Sequence, residues 1–404
     1  MDWLDELLEA TEPEPLDDAI ASHLRDDDPI EALKLAKSLP RTSDSLLLLA
    51  RCHVAMGSLC AAARAYTASG LATAAAELIE LKEYCLYNDY MWQLMQLWFP
   101  RGADKVPQSS AIYDGEFEVP PCPELDDGQM GAAIGVMRNL HCGYRVYLAG
   151  ANDAAEQTPA VPVDWLGPRR EARGVILYFH GNGEVADDYV DLAPQFHWLG
   201  FHLMIVDYRG YGWSSASTPL MSHLLSDVEP LLLNNAFDSA LDKAGVPKGH
   251  RHPSRCLLFG RSMGSNCAVH CAAVRPERFC GLVLDSSIGS GKSIITGMQP
   301  GRDTSWQEEA IDNEPPPIPM PGGVAAVGIG ENLGKMRRVA LPLLLLHGDE
   351  DVVTPPSQAT ALHAASAASD KQLTFIKGKG HNDLGLDAAY FEALREFCER
   401  VVPE

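Results

Sequence analysis

The sequence has no long hydrophobic run. Its best apolar runs, LPLLLL at 341–346 and VILYF at 175–179, are far shorter than the roughly 20 residues that a helix needs to cross a bilayer. The first residues, MDWLDELLEA, are acidic, which is atypical of a secretory signal or a transit peptide. The sequence therefore predicts no transmembrane segment and a cytoplasmic location.

Basic residues are also scarce. The 404 residues include 32 Lys+Arg against 55 Asp+Glu, which gives a formal net charge of −23 at pH 7. Residues 1–28 alone hold eleven acidic residues and one base, Arg25. A surface of this sign repels phosphate backbones and anionic lipid headgroups, so we expect no nucleic-acid partner.

Neither the cysteines nor the glycine-rich segments predict a metal or a nucleotide site. The ten cysteines show no zinc-ligand spacing with the histidines. The segment SIGSGKS at 287–293 resembles the end of a phosphate-binding loop, but that motif requires glycine at the position of Ser286. Four cysteines lie in apolar surroundings typical of reduced core thiols: Cys256, Cys267, Cys271 and Cys280. We therefore expect neither a metal nor a cofactor.

Residues 1–100 are predicted to be helical, because helix formers dominate and strand-like alternation is rare. Asp28 and Pro29 form a start signal for a helix that Pro40 ends. The next segment has spacing that resembles one tetratricopeptide helical hairpin, carried by Leu46, Leu49, Ala50, His53, Gly57, Ala62 and Tyr66. Two readings stay open: an ordinary helical hairpin, and a degenerate repeat module that binds a protein partner.

Residues 101–114 are predicted to be a linker, and residues 115–404 a domain in which strands and helices alternate. This alternation predicts an α/β fold with one mostly parallel, eight-stranded sheet covered by helices on both sides. A Gly/Pro-rich excursion at 288–338 is predicted to form a small cap. The predicted strands are 116–119, 143–149, 174–180, 202–207, 255–260, 281–285, 342–347 and 372–377. The predicted helices are near 185–198, 219–243, 263–274, 356–369 and 386–401.

The segment GRSMGS at 260–265 lies between the predicted strand RCLLF and a predicted helix. Its Gly-x-Ser-x-Gly pattern in this context predicts a nucleophile elbow, a tight turn that exposes the Ser262 hydroxyl above the sheet. A serine hydroxyl needs a base to take its proton. His381, on the loop after the last predicted strand, is the best-placed histidine.

A catalytic histidine needs a carboxylate on its other ring nitrogen. Asp351 follows the penultimate predicted strand and gives the chain order Ser, Asp, His, which is the order of α/β-hydrolases. Asp285 and Asp349 are the alternatives, Asp285 because it ends the preceding strand. An oxyanion then needs backbone N–H donors, for which we expect Met263 and Asn182, with Gly183 as an alternative to Asn182.

Five segments together resemble the α/β-hydrolase superfamily: HGNGE at 180–184, DYRGYGWS at 207–214, GRSMGS, HGDEDVVTP at 347–355 and GHND at 380–383. They are most similar to the eukaryotic alpha/beta-hydrolase-domain-containing serine hydrolases, a branch that includes protein depalmitoylases. The resemblance implies a cofactor-free enzyme that uses Ser262, Asp351 and His381. It also implies that Asp207, Tyr208 and Arg209 shape the loop beside the pocket. Where depalmitoylases of this branch have a cysteine-rich N-terminus or a membrane helix, this sequence has an acidic helical region.

The sequence thus predicts a serine hydrolase that cleaves a carboxylic ester or thioester of a small-molecule or acylated substrate. One alternative is a serine peptidase acting on small peptides. Another is an inactive hydrolase-fold scaffold whose N-terminal helices bind a protein partner.

Overall fold

The computed structural model describes the chain in eight ranges. They are residues 15–25, 28–82, 111–119, 140–150, 159–215, 221–233, 235–291 and 332–402. Most of the acidic N-terminal segment, of the predicted linker and of the predicted cap lies outside these ranges. Within them, no helix is both long and apolar enough to cross a membrane. The described residues form two compact units, one that ends at residue 82 and one that begins at residue 111.

The first unit is helical, as predicted, and consecutive helices along the chain from α1 to α4 pack against each other. Its helices are α1 (Leu16–Arg25), α2 (Pro29–Ser38), α3 (Ser43–Ala55), α4 (Leu59–Ser69) and α5 (72–82). Helix α2 begins where the sequence predicts it. The Asp28 carboxylate accepts a hydrogen bond from the Glu31 backbone N–H at 3.4 Å, and Pro29 is the first helical residue.

Helices α3 and α4 form the predicted hairpin. Leu49 and Ala50 of α3 and Ala62 and Tyr66 of α4 are buried, so the small residues allow close approach of the two helices. Gly57, in the turn between them, has a φ of 75°, a left-handed conformation that glycine adopts without steric cost. Whether this hairpin is part of a tetratricopeptide-like module stays a prediction.

The second unit contains the predicted eight-stranded sheet, with strand order β1-β2-β4-β3-β5-β6-β7-β8. Strands β1 and β2, and β2 and β4, pair antiparallel, and the remaining pairs are parallel. The strands are β1 (Ile112–Val119), β2 (Leu140–Tyr147), β3 (Gly174–Phe179), β4 (Phe201–Val206), β5 (Cys256–Arg261), β6 (Gly281–Asp285), β7 (Leu343–Gly348) and β8 (Lys371–Ile376). Strands β3, β4, β6 and β7 are buried throughout, which explains their continuous apolar sequences.

Strand β1 starts earlier than predicted. It begins at Ile112, inside the predicted linker, and pairs along its whole length with β2. Asp114 lies directly opposite Arg145 in this pair, and its carboxylate accepts hydrogen bonds from the guanidinium at 2.6 and 2.8 Å. The ion pair between Asp114 and Arg145 therefore stabilises β1 in a polar segment whose sequence alone predicts a linker.

The helices of the second unit follow the predicted order with local corrections. They are α6 (Val163–Leu166), α7 (Ala193–Trp198), α8 (Met221–Leu233), α9 (Ala236–Lys243), α10 (Gly264–Val274), α11 (Asn332–Met336), α12 (Pro356–Ala365) and α13 (Ala388–Val401). The single helix predicted at 219–243 is two helices, because Asn235 adopts a left-handed φ of 56°. The helix predicted at 185–198 is a short 3₁₀ helix, Ala186–Tyr189, followed by α7.

Candidate active site

The turn between β5 and α10 has the geometry of a nucleophile elbow. Ser262 has a φ of 50°, a strained value for a residue with a side chain, and its backbone N–H donates to the Asp285 carbonyl oxygen at 2.8 Å. The two glycines of the motif permit close packing. A Cβ at Gly260 would lie 2.7 Å from the Ala268 Cβ, and a Cβ at Gly264 would clash with the Phe179 carbonyl oxygen. The motif glycines are therefore required sterically, as their spacing predicts.

His381 lies within hydrogen-bond distance of two other predicted site residues, Ser262 and Asp351. The Nε2 atom of His381 is 2.9 Å from the Oγ atom of Ser262, and its Nδ1 atom is 2.8 Å from the Oδ2 atom of Asp351. Ser262 follows β5, Asp351 follows β7 and His381 follows β8, so all three occupy loops at the carboxyl edge of the sheet. This arrangement can transfer a proton from the serine hydroxyl to an imidazole that a carboxylate orients.

The Asp351 carboxylate is fixed by its own turn. Its Oδ1 atom accepts hydrogen bonds from the backbone N–H groups of Val353 and Thr354, at 2.8 and 2.9 Å. Burial alone would raise the pKa of Asp351, but the hydrogen bond with His381 and those from Thr354 outweigh it and lower the pKa below its usual value. Asp351 is therefore ionised at neutral pH and faces the histidine ring as an acceptor.

Thr354 is a site residue that the sequence reasoning missed. Its hydroxyl lies 2.9 Å from Asp351 Oδ2, 3.0 Å from the Ser286 carbonyl oxygen and 3.1 Å from His381 Nδ1. The His347 Nε2 atom lies 2.7 Å from the Thr354 carbonyl oxygen, which fixes the turn from the other side. The signal was a threonine three residues after the acid, a spacing at which a hydroxyl reaches back to a carboxylate.

The two alternative acids have other partners. Asp285 is buried, and its Oδ2 atom accepts a hydrogen bond from the Tyr390 hydroxyl at 3.0 Å. Burial raises the pKa of Asp285 above its usual value. Asp349 accepts a hydrogen bond from the Gly378 backbone N–H at 2.6 Å. Of the three acids weighed from the sequence, Asp351 is the one whose carboxylate contacts the His381 ring.

The expected oxyanion donors are at the ends of two neighbouring strands. Met263 directly precedes α10 with a helical φ of −52°, so its N–H belongs to the unpaired first turn of that helix. Asn182 lies in the loop after β3, and its side-chain oxygen accepts a hydrogen bond from the Tyr211 hydroxyl at 2.8 Å. Gly183, the alternative donor, has a left-handed φ of 79°. The role of these N–H groups stays a prediction.

The loop that begins at Asp207 supports the loop after β3, in agreement with the expected structural role of its residues. The Tyr208 hydroxyl donates to the His180 carbonyl oxygen at 2.9 Å, and Asp207 Oδ1 accepts from the Ala186 N–H at 2.8 Å. Arg209 forms a buried ion pair with Asp227 of α8. These contacts fix the position of the segment that carries Asn182.

The described residues contain no cluster of three or more His, Cys, Asp or Glu side chains arranged to hold a metal ion. The eight cysteines in the described ranges are free thiols, and seven of them are buried. Burial raises the thiol pKa of seven of these cysteines above the usual value. They are Cys52, Cys142, Cys256, Cys267, Cys271, Cys280 and Cys398.

Comparison with known proteins finds similarity to α/β-hydrolases. The family described as "Serine aminopeptidase, S33" matches residues 170–300 and 328–385. All three residues of the hydrogen-bonded set lie inside the matched ranges. Residues 301–327, which form the centre of the predicted cap, lie outside them.

Two curated relatives each match more than half of the chain. The Caenorhabditis elegans protein "Alpha/beta hydrolase domain-containing protein aho-3" is 30% identical over 238 residues, which cover 58% of this chain and 60% of that protein. The Schizosaccharomyces pombe "Protein bem46" is 25% identical over 232 residues, which cover 56% of this chain and 68% of that protein. The match to the first of these relatives thus spans less than two thirds of its length.

Among solved structures, the Pyrococcus furiosus esterase Pf2001 is similar to this chain, with 14% identity and a TM-score of 0.47. The likeness covers 75% of this chain and 98% of the esterase.

Proposed function

We propose that this chain is a member of the α/β-hydrolase superfamily and acts as a serine hydrolase that cleaves a carboxylic ester or thioester. The observation that carries the proposal is the continuous set of hydrogen bonds from Ser262 Oγ through His381 to Asp351. It is supported by the strained φ of Ser262, which is typical of a serine presented at a nucleophile elbow.

The chemistry that we propose has two halves. In the first, Ser262 Oγ attacks the acyl carbon, its proton passes to His381 Nε2, and the carbonyl oxygen becomes an oxyanion that accepts hydrogen bonds from the N–H groups of Met263 and Asn182. His381 then protonates the leaving alcohol or thiol. In the second half, His381 takes a proton from water, the hydroxide attacks the acyl-serine, and the carboxylic acid leaves as the proton returns to Ser262.

Asp351 orients this proton transfer. Its carboxylate accepts from His381 Nδ1–H, so it holds the tautomer whose Nε2 atom can take the serine proton, and it stabilises the imidazolium that forms. The lowered pKa of Asp351 supports this role, because only the ionised carboxylate can act purely as an acceptor.

A second candidate is a serine peptidase that acts on small peptides. It is favoured by the description of the matching family as a serine aminopeptidase. The same residues would carry out both reactions, since an amide and an ester pass through the same tetrahedral intermediate. The remaining alternative is an inactive domain that serves as a scaffold.

Covalent labelling tests the proposal. Purified protein treated with a fluorophosphonate probe should gain the mass of one adduct, and Ser262→Ala should gain none. An adduct that persists in Ser262→Ala would refute Ser262 as the nucleophile, and a wild-type protein that never reacts would favour the scaffold.

Hydrolysis rates separate the two enzymatic candidates. We expect higher kcat/KM for p-nitrophenyl esters and acyl thioesters of increasing chain length than for aminoacyl p-nitroanilides. The reverse order would favour the peptidase.

A further inference from the structure

We propose that Arg261 and Glu184 form a positioning pair that holds the oxyanion loop and the histidine loop in place around Ser262. We define the oxyanion loop as residues 181–184 and the histidine loop as residues 380–383. This inference rests on the proposed function and extends it to two residues that do not react themselves.

Arg261 contacts both loops with one guanidinium group. It is the last residue of β5 and directly precedes Ser262. Its Nη1 atom is paired with the Glu184 carboxylate. Its Nη2 atom donates to the His381 carbonyl oxygen at 3.2 Å and to the Asn382 side-chain oxygen at 2.8 Å. Arg261, directly before Ser262, thus donates hydrogen bonds to the loop that carries His381.

Glu184 completes the connection on the side of the oxyanion loop. Its Oε2 atom accepts hydrogen bonds from the Gly181 backbone N–H and from the Tyr189 hydroxyl, both at 2.7 Å. The loop also packs directly on the guanidinium, because a Cβ at Gly181 would lie 2.8 Å from Arg261 Nη1. The Glu184 carboxylate therefore joins the two ends of the oxyanion loop by a hydrogen bond and also pairs with Arg261.

The pair is partly shielded from solvent, with the Arg261 side chain 15% exposed and the Glu184 side chain 25% exposed. Burial would raise the pKa of Glu184, but the charge of Arg261 and the hydrogen bond from Tyr189 outweigh it and lower that pKa. Burial would likewise lower the pKa of Arg261, but the Glu184 and Asp285 carboxylates outweigh it and raise that pKa. Both side chains are therefore charged at neutral pH, and charged hydrogen bonds of this kind are stronger than neutral ones.

The contacts define the role as positioning. Arg261 binds the backbone carbonyl of His381, and Glu184 binds the backbone N–H of Gly181, so both act on the loops that carry the reacting groups. A guanidinium suits this task because its nitrogens are held in one plane and can bind different partners simultaneously. An ammonium group on a lysine stem is a point charge that can keep the pairing with Glu184 but cannot reproduce that fixed geometry.

The test compares kcat, KM and thermal stability for Arg261→Met, Arg261→Lys and the wild type, with a short-chain p-nitrophenyl ester as substrate. Arg278→Met is the matched control, because it breaks a comparable ion pair with Asp238 outside the site. Since small displacements of reacting groups can lower rates by about 10²-fold, we expect Arg261→Met to lose roughly 10- to 100-fold in kcat. KM should change much less, Arg261→Lys should recover part of the loss, and Arg278→Met should keep the wild-type kcat.

A structural role alone would give a different result. Arg261→Met would then lower the melting temperature but leave kcat at the wild-type value when assayed below that temperature, and this outcome would overturn the inference. A loss of kcat equal in Arg261→Met and Arg278→Met would overturn it as well. The rate of fluorophosphonate labelling at Ser262 should fall together with kcat in Arg261→Met, because the probe needs the same geometry.

Two further variants decide the matter if Arg261→Met does not fold. Glu184→Gln removes the charge with little change of shape, and Asn382→Ala removes a contact of an exposed side chain. We expect both to lower kcat, and wild-type kcat in both would refute the positioning pair. The proposed function is judged separately, by labelling of the wild type and its loss in Ser262→Ala, so its failure is distinguishable from failure of the pair.

Discussion

The Nε2 atom of His381 lies 2.9 Å from the Oγ atom of Ser262, although 119 positions of the sequence separate the two residues. The parallel pairing of β5, β6, β7 and β8 brings them together, because the carboxyl ends of these strands share one edge of the sheet. The acid between them in the chain, Asp351, follows β7 at the same edge.

The first prediction concerns the choice of acid. Asp351→Asn should lower kcat by about 10⁴-fold with little change in fold, because an amide stabilises the wrong histidine tautomer and cannot stabilise the imidazolium. Asp285→Asn should affect kcat far less, because the Asp285 carboxyl accepts a hydrogen bond from the Tyr390 hydroxyl and not from the His381 ring. Steady-state kinetics with one soluble ester would check both. A larger loss in Asp285→Asn than in Asp351→Asn would show that the acid is misassigned.

The sequence was sufficient for the main residues of the candidate site because each has a local signal. Ser262 lies in a motif whose two glycines are required sterically, Asp351 follows the apolar run of β7, and His381 lies on the loop after the last predicted strand. Thr354 has only the weak signal of its spacing from Asp351, and Arg261 has none. A threonine or arginine beside a motif is common, and its role depends on which distant backbone oxygen its side chain reaches.

The fold was predictable to a similar degree. The continuous apolar runs of β3, β4, β6 and β7 predict buried strands directly. The start of β1 at Ile112 was not predictable locally, because it depends on the pairing of Asp114 with Arg145 in another strand. The break at Asn235 was missed for a related reason. The apolar residues continue on both sides of it, and the left-handed backbone of Asn235 lies between α8 and α9.

The second prediction concerns Thr354. Thr354→Val keeps the shape of the side chain but removes the hydroxyl, so the buried oxygen that accepts its single proton, either Asp351 Oδ2 or the Ser286 carbonyl oxygen, loses that donor. A lost buried hydrogen bond costs about 1–3 kcal/mol, so we expect kcat to fall roughly 10- to 100-fold if the effect falls on the transition state. Thr354→Ser should restore most of the rate. As a control, Thr360→Val removes an exposed hydroxyl on α12 and should leave kcat unchanged.

The third prediction concerns Gly264, two residues after the proposed nucleophile. Gly264→Ala places a methyl group against the Phe179 carbonyl oxygen, a backbone atom that can move only if β3 moves with it. We expect a loss of stability of at least about 1–3 kcal/mol and strongly reduced fluorophosphonate labelling. Gly249→Ala is the matched control, because an added Cβ there meets no atom within 4 Å. Equal melting temperatures for the two variants would contradict the close packing of β3 on α10.

The fourth prediction concerns stability in acid. His202 accepts a hydrogen bond from the Ala149 N–H at Nδ1, at 3.1 Å, and its Nε2 atom lies 3.0 Å from the His250 Nδ1 atom. The His202 ring is therefore neutral, with its proton on Nε2. Burial lowers the pKa of His202 to about 3 and that of His197 to about 4.

The lowered pKa values of His202 and His197 predict that acid destabilises the folded chain. The unfolded chain takes up protons on these histidines below about pH 6.5, whereas the folded chain resists protonation until the pKa values of about 3 and 4 are reached. The stabilisation is therefore fully present above pH 6.5 and is lost as the pH falls. At pH 5, a single histidine of this kind lowers the free energy of unfolding by about 2 kcal/mol relative to neutral pH. Urea unfolding at pH 7.5 and pH 5 should show a smaller difference for His202→Gln than for the wild type or for His363→Gln, which replaces a partly exposed histidine.

The last prediction concerns the N-terminal helices, which we expect to take no part in the chemistry. The residues assigned to the site lie between His180 and His381, and the matching family begins at residue 170. The helical unit that ends at residue 82 has its own buried core, with Leu49, Ala50 and Tyr66 among its members, and its own ion pair between Arg51 and Glu77. A shortened chain that begins near residue 110 should therefore hydrolyse a small soluble ester with a kcat close to that of the full chain. Loss of that activity in a shortened chain that is still folded by circular dichroism would show that the N-terminal region helps to build the site.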